Sequence, residues 1–126
     1  MKKLYILLIL TAILMVSVIS CKQQAENKAL IITGQSGHDW KVSSEAVKQI
    51  LDQTGLFSTK ILVSPAQGED MSGFNPKFSK YNLVVLDYEG DAWPEQTDKA
   101  FMDYLTNGGG VVVFNSKSDP GQAISN

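Results

Sequence analysis

The sequence contains no arginine, a single histidine and a single cysteine among its 126 residues. With 11 basic residues against 13 acidic ones and no arginine, it lacks the basic patch that nucleic-acid binding requires, so we expect no nucleic-acid partner. The lone cysteine, Cys21, excludes an internal disulfide, and stability must therefore come from a hydrophobic core. The lone histidine, His38, and its neighbour Asp39 are too few ligands for a metal site. We predict neither a metal nor a cofactor.

The first 28 residues fall into segments of sharply different polarity. Met1-Lys2-Lys3 is basic, and residues 4–19 are apolar except for Thr11 and Ser17. A basic start, an apolar stretch and a small residue before a boundary are typical of a secretory signal. The apolar stretch is shorter than the roughly 20 residues that a membrane-spanning helix needs. Residues 22–28 are mostly polar and predict a tether.

Val18-Ile19-Ser20-Cys21 resembles the lipobox, the cleavage motif of bacterial lipoproteins. The resemblance implies that residues 1–20 are a lipoprotein signal peptide, that Cys21 carries the lipid, and that residues 21–28 link this membrane anchor to a domain. Several acyl chains bury enough methylene groups, at about 0.8 kcal/mol each, for stable anchoring. We therefore expect the protein in the cell envelope, on a periplasmic or surface face. The alternative is an uncleaved signal anchor, or an ordinary signal that is cut elsewhere.

Beyond the tether, apolar runs alternate with amphipathic stretches. The runs predict strands at residues 29–33, 83–86 and 111–114, and the alternation of Phe57, Thr59, Ile61 and Val63 predicts a strand at residues 57–63 with one face buried. A first helix is predicted from Ser43 or Ser44 to Thr54, with an inner face formed by Val47, Ile50, Leu51 and Thr54. A second helix begins near Pro94, with an inner face formed by Phe101, Tyr104 and Leu105. This order predicts an α/β fold, a flavodoxin-like parallel sheet with helices on both faces.

Three segments resemble the ThuA-like (trehalose utilisation) domain family. Residues 30–40 look like its opening strand and loop, residues 84–94 like its third strand and the following loop, and residues 108–114 like the glycine-rich entry to its fourth strand. The resemblance implies a partial ThuA-like domain at residues 29–115, with a fold similar to class I glutamine amidotransferases. It also implies a role in disaccharide metabolism, with action on oxidised (keto) sugars. The Cys-His-Glu triad of the amidotransferases is not implied, because this domain contains no cysteine.

The chain departs from the family after the fourth strand. Family members have a histidine there and continue well beyond it, whereas this sequence has Asn115 followed by an irregular polar tail at residues 116–126. A central apolar strand left at a sheet edge would also expose unpaired backbone groups. We therefore expect the N-terminal half of the domain, truncated after the fourth strand and inactive as it stands.

Candidate site residues lie where the strands end, because ligands of such sheets bind at the carboxyl ends of the strands. His38 and Asp87 are the candidate catalytic residues: a general base, and a carboxylate that orients it or binds a sugar hydroxyl. The alternatives are a solvated loop histidine and a loop-bonding aspartate. The candidate sugar contacts are Gln35, Trp40, Tyr88 and Trp93. The alternative for the two tryptophans is packing at the hydrophobic rim.

Three functions remain open on this basis. The first is an enzyme of keto-sugar or disaccharide metabolism that uses His38 and Asp87. The second is a non-catalytic carbohydrate-binding surface lipoprotein that uses Trp40 and Trp93. The third, which the missing half favours, is an inactive remnant. The sequence identifies neither the sugar, nor the reaction, nor the oligomeric state.

Overall fold

The structure, a computed structural model, describes residues 27–114. The predictions for the signal peptide, Cys21 and the linker up to residue 26, and for Asn115 and the polar tail, lie outside the described residues. Within residues 27–114, no helix is both long and apolar enough to cross a membrane.

Four strands and two helices alternate along the chain. The strands are β1 (Asn27–Thr33), β2 (Phe57–Val63), β3 (Leu83–Leu86) and β4 (Gly110–Val113). The helices are α1 (Trp40–Gln53) and α2 (Glu95–Thr106), and a short 3-10 helix covers Phe78–Lys80. All strands pair in parallel in the order β2-β1-β3-β4. The predicted fold class, a parallel α/β sheet of flavodoxin-like layout, is confirmed.

The two faces of the sheet are covered by different elements. Successive side chains of a strand point to opposite faces, so Leu30, Ile32 and Val84 share one face. Here they form the main core with Phe78 and Tyr104, and residues of α2 pack against it. Helix α1 lies against β1 and β2. The connection from β1 through α1 to β2 runs toward one side of the sheet, and the connection from β3 through α2 to β4 runs toward the other. Because such connections are right-handed, α1 and α2 lie on opposite faces.

Helix α1 begins earlier than predicted and turns a different face inward. Asp39 caps it by accepting a hydrogen bond from the Val42 amide at Oδ1, so the helix starts at Trp40 rather than at Ser43 or Ser44. The predicted inner face is therefore partly wrong, since Ile50 is 64% exposed. Ser44, which the pattern did not place inward, is buried instead.

Strand β4 forms one edge of the described sheet. Its partner β3 is buried at the centre, but the side chains of β4 and the residue after it are 39–49% exposed: Val111, Val112, Val113 and Phe114. In parallel sheets such apolar strands are normally covered on both faces. Cover of β4 is therefore missing from the part of the chain that the structure describes.

Candidate functional site

The loop between β1 and α1 reaches the carboxyl edge of the sheet through a turn that requires glycine. Gly34 has a φ of +122°, and a Cβ on it would lie 2.9 Å from the backbone nitrogen of Ser64. A side chain at this position would meet both the strained backbone conformation and that close approach. The turn carries residues 35–39 across the end of β1, toward the residues that follow β3.

His38 and Asp87 meet at this edge. The distance from His38 Nε2 to Asp87 Oδ1 is 3.0 Å. Asp87 directly follows β3 and extends its ladder, because its amide donates to Ile32 O at 2.9 Å. Asp87 is fully buried, whereas the His38 side chain is 23% exposed. The pair therefore combines a carboxylate held inside the protein with an imidazole that solutes can reach.

Ser43 completes the connection between the two. It lies in the first turn of α1, and its hydroxyl donates to Asp87 Oδ2 at 2.7 Å. Ser43 Oγ is also 3.0 Å from His38 Nε2. Asp87 Oδ1 is buried and accepts no aligned hydrogen bond among the described residues, although His38 Nε2 is in reach.

Two further groups fix the imidazole from its other sides. Ser36 Oγ lies 2.8 Å from His38 Nδ1, so both ring nitrogens have a hydroxyl neighbour. The rings of His38 and Phe114 meet edge to face, with their centroids 5.9 Å apart. An imidazole held at both nitrogens and on one side of its ring is oriented for proton exchange.

Gln35, a candidate sugar contact, has its side-chain amide fully engaged inside the protein. Its Nε2 donates to Pro65 O at 2.8 Å, and its Oε1 accepts from the Asp91 amide at 2.7 Å. The residue is buried, and its backbone oxygen accepts from the Glu89 amide at 2.7 Å. In this arrangement Gln35 joins three loops of the site edge.

The aromatic candidates differ in their surroundings, and Tyr88 and Trp93 are in contact, with ring centroids 5.8 Å apart. Trp93 is half-buried and packs among aromatic rings of the core: Phe74, Phe78, Tyr88 and Phe101. Trp40 is the first residue of α1, with Lys41 Nζ 5.5 Å from its ring centroid. The Tyr88 hydroxyl donates to Asp91 O at 2.7 Å. Burial, and then the negative charge of Asp91, raise the pKa of Tyr88 to about 12, so it stays a neutral donor.

Ser36 and Ser43 were missed by the sequence interpretation. Serine is common in loops and first helical turns, where it usually bonds the local backbone. A signal for Ser36 was its position two residues before the only histidine. No comparable local signal marks Ser43, because its partner Asp87 is 44 residues further along the chain.

A groove lies at the opposite end of the sheet from His38 and Asp87. This groove of about 610 Å³ opens near the amino ends of β3 and β4, between the segment around Phe78 and the end of α2. None of the residues that follow the strands lines it. Its position, away from the buried carboxylate and the imidazole, makes it the weaker candidate. Within residues 27–114, no three histidine, cysteine or acidic side chains cluster as a metal site would require.

The comparisons with known proteins agree with this fold. The chain is similar to the crystal structure of a protein described as ThuA-like from Parabacteroides merdae, with 55% identity and a TM-score of 0.67. That likeness supports a ThuA-like domain. It covers 69% of this chain and 31% of that protein, so the chain spans about a third of its relative's length. No protein-family model matches this chain, and no curated protein matches it.

Proposed function

We propose that this chain is a membrane-anchored lipoprotein whose ThuA-like domain belongs to disaccharide or keto-sugar metabolism. The observation that carries the proposal is the approach of His38 Nε2 to within 3.0 Å of Asp87 Oδ1, at the sheet edge where ligands of this fold class bind. The similarity to a ThuA-like protein supports the substrate class, since ThuA denotes trehalose utilisation.

The chemistry expected of this pair is proton exchange with a sugar. Histidine changes its charge near neutral pH, which suits it to accept a proton from a hydroxyl or from a carbon beside a keto group. The imidazolium that forms would be stabilised by the buried Asp87 carboxylate. In this role Asp87 orients His38 and does not touch the sugar.

We also propose that the chain alone does not turn its substrate over. The exposed apolar side chains of β4 lie beside the candidate site, and one of their neighbours, Phe114, contacts His38. A site bordered by uncovered apolar surface does not exclude the water that dilutes such electrostatic effects. Binding without turnover is the second candidate function, which the half-buried Trp40 at the start of α1 favours as a stacking surface.

Calorimetric titration of the full chain in detergent micelles, with a panel of disaccharides and 3-keto sugars, tests these proposals. Asp87→Asn preserves shape and removes the charge, and Asp103→Asn makes the same change at an exposed position on α2. We expect measurable sugar binding that weakens at least fivefold in Asp87→Asn and is unchanged in Asp103→Asn. Absence of binding to every sugar would contradict a sugar-related function. Turnover by the wild-type chain would contradict the proposed inactivity.

The lipid anchor is tested separately in a bacterial host. Cells fed an alkyne-tagged fatty acid should label the wild-type chain and the Ser17→Ala variant, and should not label Cys21→Ser. An inhibitor of the lipoprotein signal peptidase should leave the leader attached. Equal labelling of Cys21→Ser would show that another residue carries the lipid, and absence of label from the wild-type chain would contradict the lipid anchor.

A further inference from the structure

The hydrogen bonds around His38 determine which nitrogen carries its proton. Ser43 has one hydroxyl proton, and the nearest acceptor is the buried Asp87 Oδ2 at 2.7 Å; the alternative, Trp40 O, is at 3.3 Å. If that proton pointed to His38 instead, both oxygens of a buried carboxylate would lack a donor, which is costly. Ser43 Oγ therefore accepts from His38, and Nε2 of the neutral imidazole carries the proton.

The opposite nitrogen is then the basic one. With its proton on Nε2, the neutral ring has a lone pair at Nδ1, and the Ser36 hydroxyl lies 2.8 Å from it. Ser36 Oγ can only donate to that lone pair. The four side chains thus form one directed chain of hydrogen bonds, in which Ser36 donates to His38, His38 to Ser43, and Ser43 to Asp87.

We propose that these four residues form a proton relay in which Ser43 is a positioning residue and Ser36 is the outer group that meets a sugar hydroxyl. This inference rests on the proposed sugar-related function. Ser43 couples the buried charge of Asp87 to His38 Nε2 and holds the lone pair at Nδ1. Ser36, half-buried at the tip of the loop, then connects Nδ1 with the substrate.

The proton count of the step is balanced. A substrate hydroxyl donates its proton to Ser36 Oγ as Ser36 passes its own proton to His38 Nδ1. The substrate becomes an alkoxide, Ser36 is unchanged, and His38 becomes an imidazolium whose Nε2–H faces Ser43 Oγ and Asp87 Oδ1, both at 3.0 Å. The Asp87 oxygen without an aligned donor gains its strongest interaction in that state.

NMR of the only histidine tests the relay without any sugar. In a chain labelled with 15N-histidine at pH 9, where histidine is ordinarily neutral, we expect a protected Nε2–H resonance. Ser43→Ala should lose that resonance to solvent exchange, and Ser43→Thr, which keeps the hydroxyl, should restore it. Ser44→Ala is the matched control: that hydroxyl is one residue away and bonds Lys41 O, so the resonance should persist.

The hydrogen bond from Ser36 to His38 Nδ1 is tested by a separate NMR signal. Ser36→Ala should shift the Nδ1 signal toward that of a nitrogen without a hydrogen bond and leave the Nε2–H resonance in place. A protected Nε2–H in Ser43→Ala, or a proton on Nδ1 in the wild-type chain, would overturn the relay. Failure of the proposed function looks different: the NMR pattern would appear as expected while no sugar perturbs the His38 signals.

Discussion

The side-chain oxygen of Gln35 accepts a 2.7 Å hydrogen bond from the backbone amide of Asp91, which lies 56 residues further along the chain. The side-chain nitrogen of Gln35 donates to Pro65 O at 2.8 Å. One buried side chain thus joins the loops after β1, β2 and β3, the three loops that carry or border the candidate site. The site geometry therefore depends on a residue that need not touch the ligand.

Gln35→Ala should destabilise the fold by about 2 kcal/mol, because it leaves the partly buried amide of Asp91 and the partly buried carbonyl of Pro65 without this partner. The measurement is the free energy of unfolding from urea titration. Gln49→Ala is the matched control, since Gln49 is exposed on α1, and it should change stability by less than about 0.5 kcal/mol. Equal effects of the two substitutions would show that the Gln35 bonds do not hold the loops.

Gly34→Ala should lower the free energy of unfolding by about 2 kcal/mol or more. The new methyl group meets the Ser64 backbone, and the φ of +122° is one that alanine rarely adopts. Gly73→Ala is the control that lacks both causes, because Gly73 has an ordinary φ and open space around it, so the stability of this variant should stay near the wild-type value. Thermal unfolding followed by circular dichroism gives both values. A cost near zero for Gly34→Ala would mean that the turn differs from the one described.

The order of elements was predictable from the sequence because three strands contain continuous apolar runs and β2 alternates between apolar and polar residues. Residues 83–86 and their paired segments read as strands buried on both faces, and such strands imply a parallel sheet. The start and face of α1 were less predictable. Apolarity ranked Ile50 above Ser44 for the inner face, yet α1, which begins after the Asp39 cap, buries Ser44 and exposes Ile50.

The candidate site was predictable only in its acidic and imidazole groups. Asp87 directly follows β3 and His38 lies in the loop after β1, and in a parallel sheet both positions are at the same end of the strands. The serines that link them were not predictable, because a hydroxyl's role depends on which partner the fold places within 3 Å. Trp93 shows the converse: its position after β3 suggested a ligand contact, while its ring packs against Phe74 and Phe78 of the core.

Asp52 should make the stability of the fold depend on pH below about 5. The Lys48 ammonium that donates to Asp52, and then the Thr59 hydrogen bond, hold the pKa of this carboxyl below its usual range. A lowered folded-state pKa contributes stability above the unfolded pKa of about 3.9, and that stability is lost as the pH falls through the folded pKa. The Asp52 side chain is 36% exposed, so we expect less than about 1 kcal/mol.

Urea titrations of the wild-type chain and Asp52→Asn between pH 2 and 7 check this prediction. The difference in unfolding free energy should be largest at pH 7 and should shrink toward pH 2. Lys48→Gln removes the largest cause and should shrink the difference at pH 7 as well. A difference that stays constant with pH would assign the effect to the neutral hydrogen bond with Thr59.

Tyr88 should keep its proton well into alkaline solution. Burial is the larger cause and the charge of Asp91 the second, and together they raise the pKa of Tyr88 to about 12. Because the unfolded chain releases this proton near pH 10, stability is fully present below pH 10 and is lost as the pH rises toward 12. Tyr88→Phe removes the ionisable group, so its unfolding free energy should fall less steeply over that interval.

The 13Cζ signal of Tyr88, assigned by its loss in Tyr88→Phe, follows the ionisation directly. In Asp91→Asn, which keeps an oxygen for the Gly68 amide, the pKa of Tyr88 should lie below the wild-type value and above 10, because burial remains. Titration near pH 10 in the wild-type chain would show that the Tyr88 ring is solvated rather than enclosed beside Trp93.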